Sequence, residues 1–216
     1  FMQKFNDEPR MEFENLHRGT LGLRGEGFDE VFFEAWKQGR TGFPLVDAAM
    51  RALKVTGWIN FRMRAMLISF ASYHLWLHWV RPAEYLASLF TDFEPGIHYP
   101  QVQMQAGTTG INAVRIYSPT KQARDQDPEG VFIREWIPEL GSTRKSSIHT
   151  PWINPMLEGD YPSPIIEESN ARKAAAGKMY ALRNNTDFAK ESKGIFKKHG
   201  SRVRARKKVL IKSPQL

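Results

Sequence analysis

The stretch TGFPLVDAAMRALKVTG (residues 41–57), running directly into Trp58-Ile59-Asn60-Phe61-Arg62-Met63-Arg64, decides how the rest of the chain is read. Pro44 suits a first helical position, where the missing N–H costs nothing, and Gly57 suits the residue just past a helix end. Between them Leu45, Val46, Ala49, Met50 and Leu53 fall on one helical face. Asn60 is an N-cap candidate for a second helix, which opens with Arg62 and Arg64 among apolar residues. Buried arginines require an anionic partner, so an acid is expected against this second helix. Its apolar residues continue to Trp79, which predicts one helix of about 30 Å, apolar nearly all round and therefore central.

Outward from this pair the pattern stays helical. Asp29 and Glu30 place acids at the start of a segment whose stripe is Val31, Phe32, Ala35 and Trp36 and which ends near Lys37–Gly39. Residues 1–27 are polar and glycine-rich, with Phe1, Phe5 and Phe13 expected to cap the core from outside. After Arg81-Pro82 the apolar positions Leu86, Leu89 and Phe90 run to Thr91-Asp92. Pro95, Gly96, Pro100 and Gly107 then predict a loop over Asp92–Gly110. Asp92 and Glu94 make that loop a candidate ligand site beside the arginine-bearing helix. Val131–Trp136 reads as a helix stopped by Pro138, and Pro151, Pro155, Pro162 and Pro164 predict an irregular wrap over 150–166. Ala171–Arg183 is helical by propensity; beyond Asn184 the chain is polar and basic. No repeat and no strand alternation emerge, and the fold class is all-α. The expected organisation is one helical domain over 1–168, followed over 169–216 by a helix and then a basic, poorly ordered tail.

The chain has 216 residues, 41% hydrophobic and 12% aromatic, enough for one sizeable core. It contains no cysteine, which excludes disulfides, thiolate metal sites and cysteine nucleophiles and favours a cytoplasmic location. No apolar run approaches the roughly 20 residues of a membrane span. A start at Phe1 suggests a fragment or processed chain. The net charge is +8, and residues 171–216 carry 14 Lys+Arg against 2 Asp+Glu, a net +12, leaving 17 against 21 in residues 1–170. A basic tail can hold nucleic-acid phosphates without reading sequence; a solvated extension is the equal alternative.

His74 and His78 stand at metal-ligand spacing on one predicted helix, but neither an HExxH glutamate nor a third ligand accompanies them, and no metal is expected. Gly107-Thr108-Thr109-Gly110 lacks the lysine of a phosphate loop and reads as a turn. No serine sits in a nucleophile elbow. Trp36, Trp58, Trp76, Trp79 and Trp136 either fill the core or surround a planar cofactor.

Residues 36–53, WKQGRTGFPLVDAAMRAL, with Gly57-Trp58 and Arg62-x-Arg64, closely resemble the signature of the photolyase/cryptochrome family. Arg115-Ile116-Tyr117-Ser118-Pro119, Asp127-Pro128-Glu129-Gly130 and residues 132–140, FIREWIPEL, resemble its second block. The match runs from Trp36 to Leu140, with weaker echoes at Pro151-Trp152 and Tyr161-Pro162-x-Pro164. The resemblance implies a helical FAD-binding domain whose upstream α/β antenna domain lies outside this chain. It implies an Arg64–Asp92 ion pair against the flavin ring, with Trp58, Phe61, Glu94, His98 and Val102 around the cofactor. His98 falls where a residue faces the flavin N5, and a neighbour there tunes the flavin's state.

The departures concern repair. Phe61 stands where photolyases carry an asparagine that touches flavin and lesion. Val102 replaces the tryptophan nearest the flavin in the electron-transfer triad, whose outer members match Trp79 and Trp36, with Trp76 or Trp58 as substitute for the missing ring. Met104 replaces a tryptophan that stacks on the flipped lesion. Arg62 and Met104 are expected on the DNA side, with Arg202, Arg204, Arg206, Lys207 and Lys208 of the tail on phosphates. The resemblance thus implies a deoxyribodipyrimidine photolyase acting on pyrimidine dimers in DNA, or alternatively a cryptochrome-like blue-light receptor, or a domain that binds without repairing.

Overall fold

The computed structural model describes residues 1–25, 27–153 and 160–200. Among the described residues the α-helices are α1 (Met2–Asp7), α2 (Glu30–Gln38), α3 (Pro44–Thr56), α4 (Phe61–Ser69), α5 (Val80–Leu89), α6 (Pro95–Ala106), α7 (Pro119–Gln126), α8 (Val131–Trp136), α9 (Glu168–Arg183) and α10 (Thr186–His199). There is no strand among the described residues, and the fold is all-α. Helix α3 is the hub: α2, α4, α7 and α8 all pack on it, and Val46, Ala48, Ala49, Met50 and Leu53 are fully buried.

The Thr-Gly-Phe-Pro turn ahead of α3 is held by one carboxylate. Asp47 accepts hydrogen bonds from the Thr41 amide (2.9 Å), the Thr41 hydroxyl (2.6 Å), the Gly42 amide (3.0 Å) and the Tyr161 hydroxyl (2.5 Å). Burial pushes its pKa up to about 6, against the pull of these donors. Gly42 has φ +79°, and a Cβ there would run into the backbone of Ser163 and Pro164. The Ile165 amide closes the contact by donating to the Thr41 carbonyl at 3.0 Å. The weakly echoed Tyr161-Pro162-x-Pro164 segment is therefore the lid of this turn.

Four sequence expectations are corrected. First, the long helix predicted from Asn60 to Trp79 ends early. Asn60 caps α4 by accepting from the Met63 amide at 3.1 Å, but Phe70–His74 forms a π-helical turn, and Trp76 is left-handed at φ 54°. Arg24 occupies this break: its Nε donates to the Ser72 carbonyl at 2.8 Å and its guanidinium stacks on Tyr73 and Trp76. A cation at a helix C-terminus is favourable, and here it takes the carbonyl that a continuing helix would use. His74 and His78 consequently lie on either side of a break.

Second, Asp92–Gly110 is not a loop. Pro95 occupies the first position of α6, Glu94 caps it by accepting from the Gly96 amide at 3.0 Å, and Gly107 ends it left-handed at φ 77°. Pro100 is accommodated inside, at the loss of one backbone bond to Gly96. Third, Phe5 stacks on Tyr99 at 6.4 Å, but Phe1 and Phe13 are exposed and cap nothing. Fourth, the polar stretch beyond Asn184 is helical to His199. Residue Pro155 and the basic residues Arg202, Arg204, Arg206, Lys207 and Lys208 lie outside the described residues.

The second signature block is built on Asp127, whose carboxylate accepts the Val131, Phe132 and Ile133 amides at 2.8, 3.2 and 2.9 Å. An anion at these otherwise unsatisfied donors anchors α8.

Candidate functional site

Helices α4, α5 and α6 enclose a cavity of about 350 Å³, within the size range of ligand pockets. Trp58, Phe61, Arg64, Asp92, Glu94, His98 and Val102 all line it. Two elements separated by some thirty residues of sequence thus converge, because α6 lies against α4. Ile68, Leu86 and Phe90 complete an apolar wall.

Arg64 is fixed on three sides. Its Nε donates to the Ile59 carbonyl at 2.9 Å, its Nη2 to Asp92 at 2.9 Å, and its guanidinium lies 4.0 Å over the Phe90 ring. Arg62 is exposed, so of the two arginines only Arg64 has the acidic partner that burial demands. The deeply buried arginine is instead Arg24, 6% exposed, which answers to a helix carbonyl and two aromatic rings; burial lowers its pKa to about 10.

His98 bonds through Nε2 to the Ala83 carbonyl at 2.9 Å. Since a carbonyl only accepts, Nε2 carries the proton. Burial lowers the pKa, and the charge of Arg64 adds to that, so the ring is neutral at pH 7 and Nδ1 is an acceptor. Gln101 also lines the cavity, and its Oε1 is buried without a hydrogen-bond partner. An orphaned acceptor beside a cavity fits a ligand that brings an N–H. Gln101 and Gln105 were missed from sequence, although 94, 98, 101, 102 and 105 have helical spacing; the prolines suppressed a helix reading there.

The remaining candidates lie elsewhere. Met104 and Arg62 do not line the cavity. Trp36 and Trp79 are fully buried, and the Trp79 Nε1 donates to Asn15 at 2.6 Å. Trp76 lies between two cations, 4.6 Å from the Arg24 guanidinium and 4.2 Å from the Lys178 ammonium. His74 stacks on Phe70 at 5.1 Å and His78 on Trp79 at 6.0 Å.

A family described as the FAD binding domain of DNA photolyase matches residues 1–181. The chain belongs to this family. The chain is 39% identical over 145 residues to the deoxyribodipyrimidine photo-lyase of Escherichia coli, covering 64% of this chain and 30% of that protein. It is 35% identical over 162 residues to cryptochrome DASH of Gloeobacter violaceus, covering 68% of this chain and 32% of the relative. The chain thus spans about a third of the length of these curated relatives. Among solved structures, the archaeal photolyase from Sulfolobus tokodaii with two FAD molecules superposes with TM-score 0.76 at 32% identity, covering 82% of this chain and 41% of that one. A bacterial class III photolyase from Agrobacterium tumefaciens gives 0.75 at 26% identity, covering 84% and 40%. FAD is accordingly the cofactor of this domain, and α10 lies beyond the family match.

Proposed function

We propose that the α4–α6 cavity receives the isoalloxazine end of FAD and that the chain is the flavin domain of a light-driven pyrimidine-dimer photolyase. The observation that carries this is the convergence of Trp58, Phe61, Arg64, Asp92, Glu94, His98 and Val102 on one cavity. When bound and reduced, the flavin supplies an electron to the DNA lesion on illumination.

The protein's own groups do the rest. Arg64, held by Asp92 and the Ile59 carbonyl, puts a fixed positive charge beside an apolar wall, where it favours an electron-rich ring. His98 offers Nδ1 as an acceptor, which holds a proton on a facing N–H rather than donating one. Gln101 Oε1, buried without a partner, would accept from an N–H that the bound flavin brings. Trp58 and Phe61, 56% and 57% exposed, make an apolar rim of the kind that marks a binding surface. Trp79 and Trp36 are the internal electron donors in this reading. Trp76 is not, because the two cations on its faces oppose a positive charge on the ring. DNA is the proposed partner, with the basic residues past position 200 as the proposed contacts to its phosphates.

A cryptochrome-like photoreceptor is the second reading, favoured by Phe61 at the rim and Met104 outside the cavity. The test is the absorption spectrum of the purified chain mixed with FAD, before and after blue light, followed by a dimer-loss assay under reductant. Flavin retention with light-dependent dimer loss is the expected result. Retention with a light-induced spectral change but no dimer loss selects the photoreceptor. Arg64→Ala is expected to weaken flavin retention about tenfold, roughly the 1.4 kcal/mol of a partly exposed charge-assisted contact, measured by fluorescence titration.

A further inference from the structure

Helix α9 carries a second cavity, of about 510 Å³, against the segment 113–116, and it shares no lining residue with the flavin cavity. Its floor is apolar, from Val114, Ile116 and the buried Met179. Three cations, Arg172, Lys173 and Arg183, stand around it, and no carboxylate lies among the described residues that line it. Tyr180 is 69% exposed at its edge. Arg183 donates from Nη2 to the Asn112 carbonyl, and its buried Nε has no partner.

This combination is selective. Three cations with no carboxylate among the residues that line the groove call for more than one negative oxygen. The apolar floor and free aromatic ring call for a flat, weakly polar group. A base joined to a phosphate satisfies both, and stacking on an aromatic within a cationic groove is how single strands are held without sequence preference. We propose that the α9 groove is a nucleotide-binding site, with a base on Tyr180 and its phosphate at Arg172, Lys173 and Arg183. It does not depend on the flavin reading, since binding here needs neither light nor FAD.

The test uses the full chain and a fluorescein-labelled 16-mer of thymidylate, read by anisotropy over a salt series. Losing two phosphate contacts in the Arg172→Gln/Lys173→Gln double variant makes the slope of log K against log salt shallower by about 1.4, at roughly 0.7 per contact for single strands. Tyr180→Ala is expected to weaken binding about tenfold with an unchanged slope, as loss of one stacked base requires. Arg172, Lys173 and Tyr180 are exposed, so folding is not at stake. Thymidine monophosphate provides the second arm: binding that is lost in the double variant identifies a free nucleotide as an occupant, whereas binding of the 16-mer alone identifies a strand. Parental affinity and slope in both variants would overturn the proposal and place any binding elsewhere on the chain.

Discussion

At the scale of single residues, the chain separates charge that serves a ligand from charge that serves the fold. Arg64 and Asp92 face a cavity, whereas Arg24 ends a helix and Asp47 ties a turn. His74 belongs to neither class: it is buried, stacked on Phe70, and neither ring nitrogen has a hydrogen-bond partner. Burial lowers its pKa from 6.5 to about 4, so the folded protein holds it neutral while the unfolded chain takes up a proton. Between pH 6.5 and 4 the unfolded state therefore binds more protons, and stability falls as pH drops. Asp47, raised to about 6, titrates in the same window with the opposite sign. The difference between His74→Phe and the parent isolates the histidine. That difference is expected to grow by about 3 kcal/mol in favour of the variant from pH 6.5 to 4, at 1.36 kcal/mol per unit, as measured by urea unfolding at each pH.

At the scale of elements, helix ends carry most of the information. Asp127 satisfies three N-terminal amides of α8, and Asp127→Ala is expected to cost about 1–2 kcal/mol, seen as a lower urea midpoint at unchanged slope. Gly42→Ala meets both a positive φ and the backbone of the 163–164 lid, and should cost about 3 kcal/mol or more, measured the same way. The α3 boundaries were legible because Pro44 and Gly57 act through local backbone chemistry. The helix at 95–106 was not, because Pro95 and Gly107 are correct terminal residues while Pro100 and Gly96 between them imitate a loop. Local rules weigh Pro100 as a breaker; packing against α4 and α1 outweighs one lost hydrogen bond.

At the scale of the molecule, α10 is attached through a single buried residue. Phe188 is its buried residue, stacked at 3.8 Å on His17, and Glu191 accepts from the Arg18 and Gly19 amides. Phe188→Ala is expected to speed hydrogen exchange across α10 by at least tenfold while leaving α3 amides protected, because local and global opening are separable. Acceleration in α3 as well would show that α10 is part of the cooperative core. The sequence by itself determined the all-α class, the α3 boundaries and the family resemblance, since those rest on caps, periodicity and motif order, which are local; it put the second helix at the centre, whereas α2, α4, α7 and α8 pack on α3, and it was the resemblance that named the residues now lining the α4–α6 cavity. Tertiary structure alone decided that Arg24 rather than Arg62 is the buried arginine, that the long helix stops at His74, that Gln101 joins the cavity, and that α9 carries a cationic groove. Each of these depends on which distant side chain claims a carbonyl, a ring face or a void, and no local pattern encodes that. The stretch at 41–64 fixed where the arginine stands; the packing of α6 on α4 put Asp92 beside it.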